Sequence, residues 1–123
     1  MHKFEMPREY VERVTARQGR PHTCETFDTK KTALVVVDMQ HFFMVEPYMM
    51  ACPVARDIVP NVNRVAAAMR AAGARVIWIQ TTATGAIERW PAHHKHKLSP
   101  ANAARRLESL AEDGEGYKLY PKL

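Results

Sequence analysis

The chain reads as an α/β protein built on a parallel sheet, and as only the first part of such a sheet. Three features of the sequence carry that reading. Thr32-Ala-Leu-Val-Val-Val37 is an unbroken apolar run rich in β-branched residues, Ile58, Val62, Val65, Ala66 and Met69 recur at helical spacing, and Arg75-Val-Ile-Trp-Ile-Gln-Thr81 is a second apolar run. Unbroken runs suit strands covered on both faces, as in parallel sheets, whereas a half-solvated strand alternates. Strand, helix and strand in that order predict a right-handed parallel βαβ unit. Two strands alone make a marginal sheet. Its remaining strands are therefore expected from a continuation of the domain or from another chain.

The elements follow in order. Residues 1–31 are expected to form an arm. In it Pro7 to Gln18 is a possible short helix with Tyr10, Val11 and Val14 on one side and Gly19 as its stop, and 19–31 is irregular. The first strand follows at Thr32, then a loop from Met39 to about Val59. Pro60 fits the first turn of a helix, where its missing N–H leaves nothing unpaired. Gly73 ends that helix and the second strand begins at once. Thr82 to Leu98 is expected to be a long loop. Ser99-Pro-Ala then reads as an N-cap followed by proline at the first helical position. Ala103, Leu107 and Leu110 give that helix a weak apolar stripe, and Gly114 is the expected stop.

Composition excludes several classes. A chain of 123 residues holds one domain with a modest core. Its apolar runs fall far short of the ~20 residues that span a bilayer, so no membrane association is expected. Met1-His-Lys-Phe-Glu-Met6 lacks the apolar stretch of a secretory signal. Cys24 and Cys52 do not form a disulfide framework and are expected as free thiols in a cytoplasmic protein. The net charge of +5 raises nucleic-acid binding, but the basic residues are scattered and no aromatics interleave with them, so no polynucleotide partner is expected.

Asp38 is the first candidate for chemistry. It closes the first strand, and the carboxyl ends of strands are where open α/β sheets keep their sites. Phe43, Gln80 and Trp90 are candidates for the substrate pocket at the same edge, with core packing as the alternative for each. His93, His94 and His96 invite a zinc site, but their spacing does not bring three rings together on a regular element, so no metal is expected and the loop reads as solvated or substrate-gating. Cys52, on a loop leaving the same strand end, reads as a loop filler rather than a nucleophile.

Thr32-Ala-Leu-Val-Val-Val-Asp-Met-Gln-His-Phe-Phe43 resembles the opening strand and acidic loop of isochorismatase-like cysteine hydrolases. The likeness continues through Ile58-Val-Pro-Asn-Val-Asn-Arg64 and Arg70-Ala-Ala-Gly-Ala-Arg-Val-Ile-Trp78. Trp90-Pro-Ala-His-His94 and Glu112-Asp-Gly-Glu-Gly-Tyr-Lys-Leu119 look like the amidohydrolase branch. The resemblance implies a three-layer, Rossmann-like α/β fold, incomplete in this chain, with 32–123 as the N-terminal part of the hydrolase domain. It also implies an Asp–Lys–Cys set around one acyl carbon. Asp38 matches the acid/base position. The family's lysine and cysteine fall after Leu123, so Lys118, Lys122, Cys24 and Cys52 inherit neither role.

The resulting expectation is part of a cysteine hydrolase that cleaves the C–N bond of a small amide, ureido or carbamoyl compound, inactive as this chain alone. The alternative is a non-catalytic α/β binding or scaffolding module that needs a partner chain. No organic cofactor is expected, since thiolate attack on a carbonyl requires none. The expected partners are a small-molecule substrate and either further copies of the chain or the rest of the domain.

Overall fold

Strands β1 (Ala33–Val37) and β2 (Arg75–Ile79) pair in parallel, from Ala33 opposite Arg75 to Val37 opposite Ile79, in a computed structural model that describes residues 5–123. Helix α3 (Val59–Ala71) is the crossover between them. Pro60 sits in its first turn, and Gly73, at φ 74°, takes the left-handed turn that lets the chain enter β2 two residues later. The strand–helix–strand reading and the parallel pairing are both met.

The core lies on one side of this pair. Leu34 and Val36 of β1 and Trp78 of β2 pack with Val59 and Val62 of α3 and with Met39 and Met44. On the opposite face Val35, Val37, Ile77 and Ile79 are 43–54% exposed. The expectation that both faces are buried is therefore corrected: among the described residues, α3 covers one face and the other is open. The unbroken apolar sequence remains, but only every second residue of each strand finds a partner. The helix stripe is trimmed in the same way. Val59, Ala66 and Met69 are buried, whereas Ile58 and Val65 are 38% and 43% exposed beside the free edge of β1. A groove of about 400 Å³ runs there between strand and helix.

The two expected loops carry more structure than their composition suggests. Residues 39–58 contain helix α2 (His41–Met44) and a 3₁₀ turn, Pro53–Ile58. Phe42 and Met44 of α2 are 1% exposed, because the aromatic and methionine residues that look irregular in sequence fill the space beyond the strand ends. Residues 82–98 contain α4 (Ala86–Arg89) and a π-helical turn, His93–Lys97.

Helix α5 (Pro100–Ser109) begins as expected: Ser99 Oγ accepts from the Asn102 N–H at 3.3 Å, and Pro100 follows the cap. It stops earlier than Gly114. The segment Gly114–Gly116 folds back under its last turn, where a Cβ on Gly116 would lie 2.4 Å from the Ser109 carbonyl oxygen. Leu110, fully buried, plugs the second core cluster with Phe42, Ala83 and Ala86. In the arm, α1 (Arg8–Gln18) runs from Pro7 to Gly19, which takes φ 76°, and buries none of its residues.

Candidate active site

Asp38 is the first residue beyond β1, and its own N–H still donates to Ile79 O of β2 at 3.0 Å. Its backbone then turns to φ 58°, the left-handed region, the sole described non-glycine residue to do so. That turn lifts the side chain out of the strand's alternation at the carboxyl edge of the sheet. There Asp38 is half-buried, and its Oδ1 accepts from the Thr81 hydroxyl at 2.8 Å. No hydrogen bond reaches its Oδ2 among the described residues.

Gln40 fixes the frame around this carboxylate. It is completely buried, and such a polar group is tolerated only when its hydrogen bonds are made. Its Oε1 accepts from the Thr81 N–H at 2.8 Å, while Nε2 donates to Thr81 O at 3.0 Å and to Tyr117 O at 2.8 Å. Gln80 Nε2 donates to the same Tyr117 carbonyl at 2.8 Å. The segment after α5 is also zipped to the end of β1: His41 N–H donates to Lys118 O, and Tyr120 N–H donates to Met39 O. One side-chain amide thus joins both strand ends and the returning chain, and it holds the residue whose hydroxyl grips Asp38.

A cavity of about 230 Å³ opens beside Thr81, and Gln80, Arg89 and Trp90 share its wall with Thr82 and Thr84. Two of the three anticipated pocket residues, Gln80 and Trp90, therefore meet at one cavity next to the partner of Asp38. Phe43 does not line it. Its ring stands edge-on to Phe42 at 5.1 Å and packs against both core clusters, which is the packing alternative considered for it.

The histidines lie further out. His94 is buried, its Nδ1 donates to Trp90 O at 3.2 Å, and its Nε2 meets no protein partner among the described residues. His93 stands edge-on to it at 5.3 Å. Loss of hydration, with Arg106, His94 and Lys97 nearby, holds His93 below the usual imidazole range. No three His, Cys, Asp or Glu side chains converge as a metal set among the described residues. Cys24 and Cys52 are both exposed free thiols. Lys118 is exposed and paired with Glu115.

Gln40, Thr81 and Arg89 are the site residues that sequence reasoning passed over. The signal for Gln40 was present: an amide set among Met39, Phe42 and Phe43 has to be buried and therefore bonded. Thr81 is found by register, since Val37 faces Ile79 and the residues just beyond each strand must meet.

The family model for the isochorismatase domain matches residues 32–123. The chain belongs to the isochorismatase family. The match starts one residue before β1 and includes Asp38, Gln40, Thr81 and the cavity wall. Isochorismatase-family membership assigns an α/β fold and a hydrolase-like enzyme class, and the parallel pair with α3 fits an incomplete version of that fold. No curated protein and no solved structure matches the chain. No helix among the described residues is long and apolar enough to cross a membrane.

Proposed function

We propose that the chain supplies the acid/base half of a cysteine hydrolase that cleaves the C–N bond of a small amide, ureido or carbamoyl compound. The observation that carries this reading is Asp38 at the carboxyl rim of β1, with one oxygen gripped by Thr81 and the other unengaged. In the proposed cycle, a cysteine thiol gives its proton to Asp38 and the thiolate adds to the substrate carbonyl. Collapse of the tetrahedral adduct breaks the C–N bond, and Asp38 returns the proton to the departing nitrogen. Water then hydrolyses the thioester and regenerates the thiol. The nucleophile and the lysine that lowers its pKa are proposed to come from outside residues 1–123, in a cytoplasmic assembly. Cys24, in the arm, and Cys52, exposed on its loop, are assigned no part.

Ammonia release from a panel of primary amides, ureido acids and carbamates tests the reading. The enzyme isolated in its native assembly should release ammonia from at least one class, and a Cys24→Ala/Cys52→Ala variant should release it at the same rate. Residues 1–123 alone should release none. Hydrolysis by the lone chain, or its loss on removing Cys52, contradicts the assignment. The open apolar face of Val35, Val37, Ile77 and Ile79 favours a second reading, a binding module covered by a partner chain. A native assembly silent toward the whole panel would select it.

A further inference from the structure

We propose that Thr81 is a positioning residue for proton transfer: its hydroxyl reserves Oδ1 of Asp38, so that the proton is taken up and given back at Oδ2. This rests on the acid/base reading above and deepens it. The two residues lie 43 apart in sequence, and one bond of 2.8 Å joins the hydroxyl to that oxygen.

Thr81 lies two residues beyond β2, past the last strand pairing of Val37 with Ile79. Its backbone is nonetheless fixed, because Gln40 takes both of its polar groups. The amide Oε1 accepts from the Thr81 N–H, and Nε2 donates to Thr81 O. Gln40 is completely buried, so water does not compete for these bonds. The hydroxyl is then the one polar group of Thr81 left to act, and it turns to Asp38. A β-branched side chain has few χ1 choices, which holds the hydroxyl on its target. Asp38 is tied to the same frame, since its N–H donates to Ile79 O.

A hydroxyl has one proton to donate. While Asp38 is ionised, that proton makes a charge-assisted bond to Oδ1. When the carboxyl is protonated at Oδ2, Oδ1 is its carbonyl oxygen and accepts the same bond, so neither side chain has to move. A proton on Oδ1 would set donor against donor. Thr81 would then have to rotate and leave its own proton without a protein acceptor, since its hydroxyl has no other partner among the described residues. The proton balance of the cycle follows. The S–H bond breaks, its electron pair stays on sulfur, and the proton lands on Oδ2. Later the Oδ2–H bond breaks and the proton passes to the nitrogen, which departs with the electron pair of the C–N bond. Through both transfers the bond from Thr81 persists and keeps the carboxyl plane from turning.

The test measures kcat and KM of the native assembly by ammonia release from acetamide, N-carbamoylglycine and methyl carbamate, with circular dichroism to check that each variant is folded. Thr81→Val and Thr81→Ala delete the hydroxyl but keep the backbone groups that Gln40 holds. Each should lower kcat about 10–100-fold with KM within about twofold of the wild type. Thr81→Ser restores a hydroxyl and should keep kcat within about threefold. A rise in KM at unchanged kcat would assign Thr81 to substrate binding and overturn the proposal. So would a loss that Thr81→Ser fails to restore, or wild-type kcat in both hydroxyl deletions. Asp38→Asn separates this role from the acid/base reading. If Asp38→Asn is inactive while Thr81→Val turns over normally, the positioning role alone falls. If Asp38→Asn turns over normally, or the wild type is silent toward all three compounds, both fall.

Discussion

Asp38 adopts φ 58° although it is not glycine. A side chain in the left-handed region crowds the carbonyl that follows, at a cost of about 1–2 kcal/mol for ordinary residues and less for Asp or Asn. A position selected for stability alone would hold glycine. Here the strained turn and the Thr81 hydroxyl together present a carboxylate at the sheet rim, where a relaxed strand residue would point it along the pleat. Asp38→Gly is therefore expected to unfold at higher urea than Asp38→Ala, with the two separated by about 1–2 kcal/mol. Equal midpoints would mean the turn stores no strain. That Asp38 is a candidate was readable from its place after an apolar run. The turn itself was not, because nothing in its neighbours requires φ above zero.

At the scale of elements, the strands and α3 were legible because each is announced by its own residues: unbroken β-branched runs, and apolar positions three and four apart. The end of α5 was not legible. Ala103, Leu107 and Leu110 continue a helical stripe toward Gly114, yet the helix stops at Ser109 because a later segment packs under it. The clamp at Gln40 was hidden for the same reason, since its partners Thr81 and Tyr117 lie 41 and 77 residues away. The backbone of Gly116 is the contact on which both depend: it touches the last turn of α5 and precedes the carbonyl that Gln40 and Gln80 share. Gly116→Ala would drive a methyl into the Ser109 carbonyl, and overpacking of that kind costs about 1–3 kcal/mol. Urea denaturation should show a loss of that size, and an unchanged midpoint would mean that the fold-back yields freely. A pH dependence belongs to the His93–Lys97 turn, which packs against α5. His93 titrates below its unfolded value, so the unfolded chain binds the extra proton first. Stability contributed by neutral His93 is complete above the ordinary imidazole value and is lost as pH falls toward the folded one. A His93→Gln variant should lose this acid-side slope, and an unaltered slope would place its origin elsewhere.

For the whole molecule, the sheet is the part that remains open. Val35, Val37, Ile77 and Ile79 form one apolar face, and β1 offers an unpaired edge beside Ile58 and Val65. Contiguous exposed apolar surface of this kind associates or binds hydrophobic dyes. Residues 1–123 in isolation should bind anilinonaphthalene sulfonate and sediment as concentration-dependent oligomers, and a dye-silent monomer with one sharp melt would mean the open face is stable in water. The unbroken runs specify two covered faces, and the described residues supply one. Such a frame is useful to an enzyme only if the carboxylate at its rim moves a proton. The direct measurement is turnover by the native assembly carrying Asp38→Asn, with its circular dichroism and melting compared with the wild type. We predict an unchanged fold and a fall in kcat of about 10²–10⁴-fold, the range for losing a general acid–base group. Near-normal turnover in a folded Asp38→Asn enzyme would contradict the account.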